Sequence, residues 1–90
     1  MTLEVKRPYI TQMEGVAGGK PIITGTRTPV RSIVAYHLMG NAPEEIQTKL
    51  PYLTLAQIHD ALSFYYDHRE EIDADLDANR EECVRQATDL

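Results

Sequence analysis

Ninety residues with 42% hydrophobic content make one small globular domain, and no apolar run approaches the roughly 18 residues of a membrane span. The net charge of −5 is unevenly spread: residues 1–50 hold six cations and four acids, whereas residues 51–90 hold three cations and ten acids. A chain this short is only marginally stable alone, so a partner or a homodimer interface is expected. The charge split suits a nucleic-acid-facing front joined to an acidic surface for a basic partner, or simply two solvated faces.

The N-terminal residues show no basic region leading into an apolar one, and the single Cys83 cannot form an internal disulfide. Both features read as a cytoplasmic chain in a reducing compartment. Residues 1–8 are polar, carry Lys6 and Arg7, and end in Pro8, the pattern of a flexible arm. Residues 9–13 and 22–24 are short β-rich pieces separated by Gly15, Gly18 and Gly19, which predicts a ribbon. Two strands alone are marginal, so the ribbon must lie on helices or pair with another chain.

Thr28-Pro29 then opens a helix over 30–39, with Thr28 as cap and Pro29 in the first turn. Val30, Ile33, Val34, His37 and Leu38 fall on one apolar face, leaving Arg31, Ser32 and Ala35 pointing away, and Gly40 ends the helix. Pro43 with Glu44 and Glu45 starts a second helix over 43–50, halted by Pro51. Thr54 and Gln57 form a capping-box pattern opening a third helix over 55–68, with Leu55, Ile58, Ala61, Leu62, Tyr65 and Tyr66 mostly on one side. Beyond Asp67 nothing breaks the helical pattern. The apolar residues thin to Ile72, Leu76, Cys83, Val84 and Ala87, and residues 69–90 read as an acidic C-terminal helical segment.

Residues 18–30, GGKPIITGTRTPV, are the joint between ribbon and helices. Gly19-Lys20 does not make a phosphate loop, because Glu14 and Pro21 stand where that pattern needs Gly and Ser or Thr. His37, His59 and His68 lack metal-ligand spacing, and Tyr65, Tyr66, Asp67 and His68 point about 100° apart in succession on a helix. No nucleophile with its base is evident, so neither catalysis nor a cofactor is expected. Arg27 has two readings. It could reach a phosphate or a partner carboxylate from the joint, or it could bind the terminal carbonyls of a neighbouring helix and hold the turn.

Two helices joined by a short turn and preceded by a third give the outline of a helix-turn-helix domain. The run GGKPIITGTRTPV, the spacing to Gly40, then APEEI and LPYLTLAQIHDALSFYY, resembles the bacterial family known as domain of unknown function 433 over roughly residues 10–66. Its usual pattern is GGKPxIxGTRxPV, GxSPEEI and yPxLTxxxIxxALxYY; this chain has Ala42 where the family has the capping Ser. The resemblance implies a compact helical domain of the helix-turn-helix group. With the ribbon and the C-terminal pattern read above, the expected fold is a mainly α, three-helix helix-turn-helix-like domain over residues 9–68. It has an N-terminal ribbon and an extended C-terminal helix, a segment that the resemblance does not cover. The resemblance also implies an antitoxin-like protein of the VapB type, partner of a PIN-like ribonuclease toxin and a binder of its own promoter DNA. The alternative is a dimerising adaptor that never meets nucleic acid.

The third helix shows Gln57, His59, Asp60, Ser63 and Asp67 outward, poor in the cations that phosphate contact needs. The expected DNA contacts are therefore Lys20, Arg27, Arg31 and Lys49, with Gln57 and Ser63 assisting. The expected toxin contact is the stripe of Ile72 and Leu76, flanked by Glu70 and Asp73, laid on a basic groove.

Overall fold

The computed structural model describes residues 8–79. The expected arm with Lys6 and Arg7, and the stretch with Cys83, Val84 and Ala87, lie outside the described residues. The chain is mainly helical. A two-stranded antiparallel ribbon, β1 (Ile10–Thr11) and β2 (Ile22–Ile23), precedes four helices, α1 (Val30–Leu38), α2 (Pro43–Lys49), α3 (Leu55–Asp67) and α4 (Arg69–Ala78).

The ribbon pairs Ile10 with Ile23 and Thr11 with Ile22. Alone it would be marginal, but Ile22 and Ile23 are fully buried and the Tyr9 amide donates to Asp60 Oδ2 of α3 at 3.3 Å. The far edge of β2 is covered as well: Ile23 N–H donates to Thr28 O, and Ile22 bridges to Pro29. This placement corrects the expected start of α1. Val30 N–H donates to Pro21 O and Pro29 keeps an extended ψ of 147°, so Pro29 is the N-cap residue rather than part of the first turn. The Thr28 hydroxyl does not cap the helix; it bonds to Tyr52 instead.

The C-terminus of α1 is a Schellman closure. Gly40 sits at φ 96°, a left-handed conformation that costs glycine little, while Gly40 N–H donates to His37 O and Asn41 N–H to Tyr36 O. Ala42 has no side-chain oxygen to cap α2. Half of the capping arrangement survives, since Glu45 Oε1 accepts the Ala42 amide at 2.8 Å. The full box forms at α3: Thr54 Oγ1 accepts Gln57 N–H at 3.1 Å, and Gln57 Oε1 accepts Thr54 N–H at 2.7 Å.

Ile33, Val34, Ile46, Leu53, Ile58 and Ala61, from the helices and the turn between α2 and α3, form the core. Two features depart from the helical pattern read above. The buried side of α1 takes in Arg31, Ser32 and Tyr36, whereas Leu38 is exposed. The acidic segment does not run on from α3. The chain turns at His68, at φ −135° and ψ 43°, and α4 folds back on α1 with Ile72 fully buried. These are one event: α4 covers the Arg31 side of α1, which a three-helix domain would leave to water.

Candidate functional site

α4 is fastened to α1 by a buried ion pair. Arg31 Nη1 donates to Asp75 Oδ1 at 3.4 Å and Oδ2 at 3.2 Å, and both side chains are almost wholly removed from solvent. Asn79 Nδ2 adds a bond to Asp75 Oδ1 at 3.0 Å, which helps satisfy the carboxylate. Arg31 was read as an outward residue available to DNA; the structure makes it the clamp of α4. The Ile72 and Leu76 stripe is likewise turned inward, with Ile72 in the core and Leu76 half-buried against it. α4 shows mostly carboxylate to water: Glu70, Glu71, Asp73 and Asp77 are all exposed, beside Arg69 at its start.

A second group joins α1, α3 and α4. His37 Nε2 and the Tyr66 hydroxyl lie 2.7 Å apart, Arg69 sits over the rings of both Tyr65 and Tyr66, and the Tyr65 hydroxyl donates to Asp73 Oδ1 at 2.9 Å. Burial pushes the Tyr65 phenol up from its ordinary value, the bond to Asp73 pushes the same way, and Arg69 opposes both. His37, placed on the apolar face by its spacing, is half-buried and ends on this hydroxyl. Beside it Leu38, Met39 and Tyr66 are each more than half exposed.

Of the remaining cations, Lys20 and Arg27 lie in separate clefts. Lys20 is exposed and shares a cleft of about 440 Å³ with Arg31, Asp75 and Asn79, so a carboxylate already lies there. Arg27 lines another cleft, of about 370 Å³, with Thr28, Ser32, Tyr36 and Tyr52. Lys49 on α2 has its ammonium 5.9 Å from the centre of the Tyr36 ring, but it does not line the cleft. The turn that presents Arg27 is held by its neighbours: Thr26 Oγ1 donates to Ile23 O and accepts Thr28 N–H, with Gly25 at φ 82°. Thr26, not the exposed Arg27, keeps that turn. Gln57 has its carboxamide oxygen committed to Thr54, and Ser63 is exposed on α3. The expected DNA residues are thus not one surface: Arg27 lines the Tyr52 cleft, while Lys20 and Arg31 line the one that holds Asp75.

Tyr52 and Thr28 are the functional candidates that the sequence reading missed. Their hydroxyls lie 2.6 Å apart across 24 residues, and no local pattern announces such a pair. Among the described residues no group of three or more His, Cys, Asp or Glu side chains converges on a metal-sized point, and no helix is long and apolar enough to cross a membrane.

A β-ribbon seated on a small helical core, with shallow clefts at the ribbon-helix joint, defines a compact, mainly α-helical domain. The chain belongs to the DUF433 family, proteins of unknown function, whose model matches residues 10–65. It is similar to a DUF433 member protein from Anabaena variabilis ATCC 29413, known from a crystal structure at 2.00 Å resolution. The two share 34% identity with a TM-score of 0.70, over 76% of this chain and 67% of that one. No curated protein matches the chain.

Proposed function

We propose that the chain is a non-catalytic, antitoxin-like binding protein whose partner is a basic protein, a PIN-like ribonuclease toxin, and that it also binds its own promoter DNA as a homodimer. The observation that carries the toxin half is the set of carboxylates on α4. Glu70, Glu71 and Asp77 are exposed on a helix that Ile72 and the Arg31–Asp75 pair hold rigidly in place. Fixed acids facing outward complement the cationic groove that an enzyme needs to bind RNA, raising the association rate and disfavouring acidic partners. The contact is then electrostatic, made by the acids alone, with the apolar stripe left inside the fold.

The test is a charge variant, E70Q/E71Q/D77N, titrated calorimetrically against the toxin encoded beside it. Asp73 is kept because Tyr65 needs it. Affinity should fall and its salt dependence should flatten. Unchanged affinity at low salt would remove the acidic face from the interface. Truncation of residues 70–90 is a poor test, because it takes Ile72 out of the core.

A second reading, the dimerising adaptor that never meets nucleic acid, draws on exposed Leu38, Met39 and Tyr66 at the ends of α1 and α3. Sedimentation of the M39E variant separates the two: an adaptor would become monomeric and lose its whole activity, whereas an antitoxin would keep toxin binding.

A further inference from the structure

We infer that the cleft between the Gly25–Thr28 turn and Tyr52 is a phosphate site, and that its occupant is a phosphodiester of duplex DNA. The inference rests on the promoter-binding half of the proposed function and names its contact residues. Two kinds of donor line the cleft. The Arg27 guanidinium comes from one wall, and the Thr28 and Tyr52 hydroxyls meet at 2.6 Å. Whichever hydroxyl donates within that pair, the other keeps its proton for a ligand. Tyr52 is 59% exposed, yet its hydroxyl is fixed by Thr28, so this donor is ordered before anything binds. The same holds for the backbone under Arg27, pinned by Thr26 Oγ1 at 2.9 Å to Ile23 O and at 3.0 Å from Thr28 N.

Charge selects the ligand. The Lys20 cleft contains Asp75, and the cleft beside Phe64 and His68 contains Glu71. Among the residues lining the Arg27 cleft there is no Asp or Glu. A site with two hydroxyls, one cation and no carboxylate recognises an anion rich in acceptor oxygens, which a phosphate is. The acidic α4 does not cancel it, because successive helix positions turn by about 100°. Arg31 faces α4, while Ser32 and Tyr36 line the cleft on a different side of α1. The cleft therefore gives this acidic chain a local positive surface where the acidic third helix offers none.

Fluorescence anisotropy with a labelled duplex of the chain's own upstream sequence, at low and moderate salt, tests this. The R27Q variant should weaken binding on the order of tenfold and lower the salt slope by about one. K49Q, whose cation lies outside the cleft's lining, should have a smaller effect. Y52F should weaken it by a smaller factor with the slope unchanged, since it removes a hydroxyl and no charge. K20Q should bind like the parent protein. Far-UV circular dichroism checks that each variant is folded, and inorganic phosphate alone should shift the Thr28 and Tyr52 resonances in an NMR titration of the parent protein. Absence of duplex binding at low salt overturns the promoter reading itself. Duplex binding that R27Q, K49Q and K20Q leave equally intact overturns the cleft while sparing that reading. Tighter binding of single-stranded RNA than of duplex, lost in R27Q, overturns DNA as the occupant.

Discussion

Asp75→Ala should be among the most damaging single substitutions in the chain, more so than its polar side chain suggests. Arg31 and Asp75 side chains retain 6% and 2% of their exposure and meet at 3.2 Å. Removing the carboxylate takes the Asp75 partner from a guanidinium inside the fold, and breaking a buried pair from one side costs about 3–5 kcal/mol, more than the pair itself contributes over water. A domain of 90 residues has a net stability of roughly 5–13 kcal/mol, so this is a large share. With about 4–8 °C per kcal/mol for a domain of this size, the thermal midpoint should fall by about 12 °C or more. Circular dichroism melts together with urea titrations measure it. The paired replacement R31M/D75L should recover most of the loss, because two apolar side chains of similar volume need no desolvated charges. A loss under about 1 kcal/mol for Asp75→Ala would refute the clamp, since it would mean that water reaches Arg31 and that α4 does not rest on α1.

Three other substitutions test separate parts of the fold. Ile72→Ala, at a fully buried position, should cost about 2–5 kcal/mol in urea unfolding, against near zero for an outward residue. Thr54→Ala removes the oxygen that accepts Gln57 N–H and should cost about 1 kcal/mol, read as a lower melting midpoint with native helical content. Tyr65 supplies an alkaline limit. Its folded pKa is raised above 10.0, by burial first and by Asp73 next, so the folded state holds the proton longer than the unfolded chain. The stability this contributes is complete below pH 10.0 and is lost as pH rises through the folded value. Tyr65→Phe should flatten that alkaline decline, and an unchanged slope in pH-dependent urea midpoints would rule Tyr65 out as its source.

Local chemistry made most of the scaffold legible. Pro43, Pro51, Gly40 and the Thr54–Gln57 box punctuate the first three helices, and each of α1, α2 and α3 lies within one or two residues of the reading. The isoleucines of GGKPIITGTRTPV marked β2 for the same reason. What escaped was tertiary. No Gly or Pro stands between α3 and α4, so nothing local told of the turn at His68; burial of Ile72 and Asp75 against α1 is what selects it. Arg31 escaped because an arginine on a helix is normally solvated, and a carboxylate 44 residues away helps to make its burial tolerable. Arg27 was singled out, but the cleft it lines depends on Tyr36 and Tyr52, contributed by different elements.

The same buried pair separates two ways of meeting a toxin. If the toxin takes the Ile72 and Leu76 stripe, α4 must first leave α1, and that undocking breaks Arg31–Asp75 and exposes a fully buried isoleucine. Binding would then select a rarely populated open state, with an affinity reduced by its population. Asp75→Ala, by loosening α4, would raise toxin affinity even as it lowers stability. If the outward carboxylates make the contact, α4 stays docked. Asp75→Ala then lowers affinity or leaves it unchanged, and rising salt weakens the complex through screening. Measuring toxin affinity for Asp75→Ala at low temperature, where the variant remains folded, gives opposite signs for the two cases. A tighter complex would overturn the electrostatic contact proposed for α4 and restore the apolar stripe as the binding element.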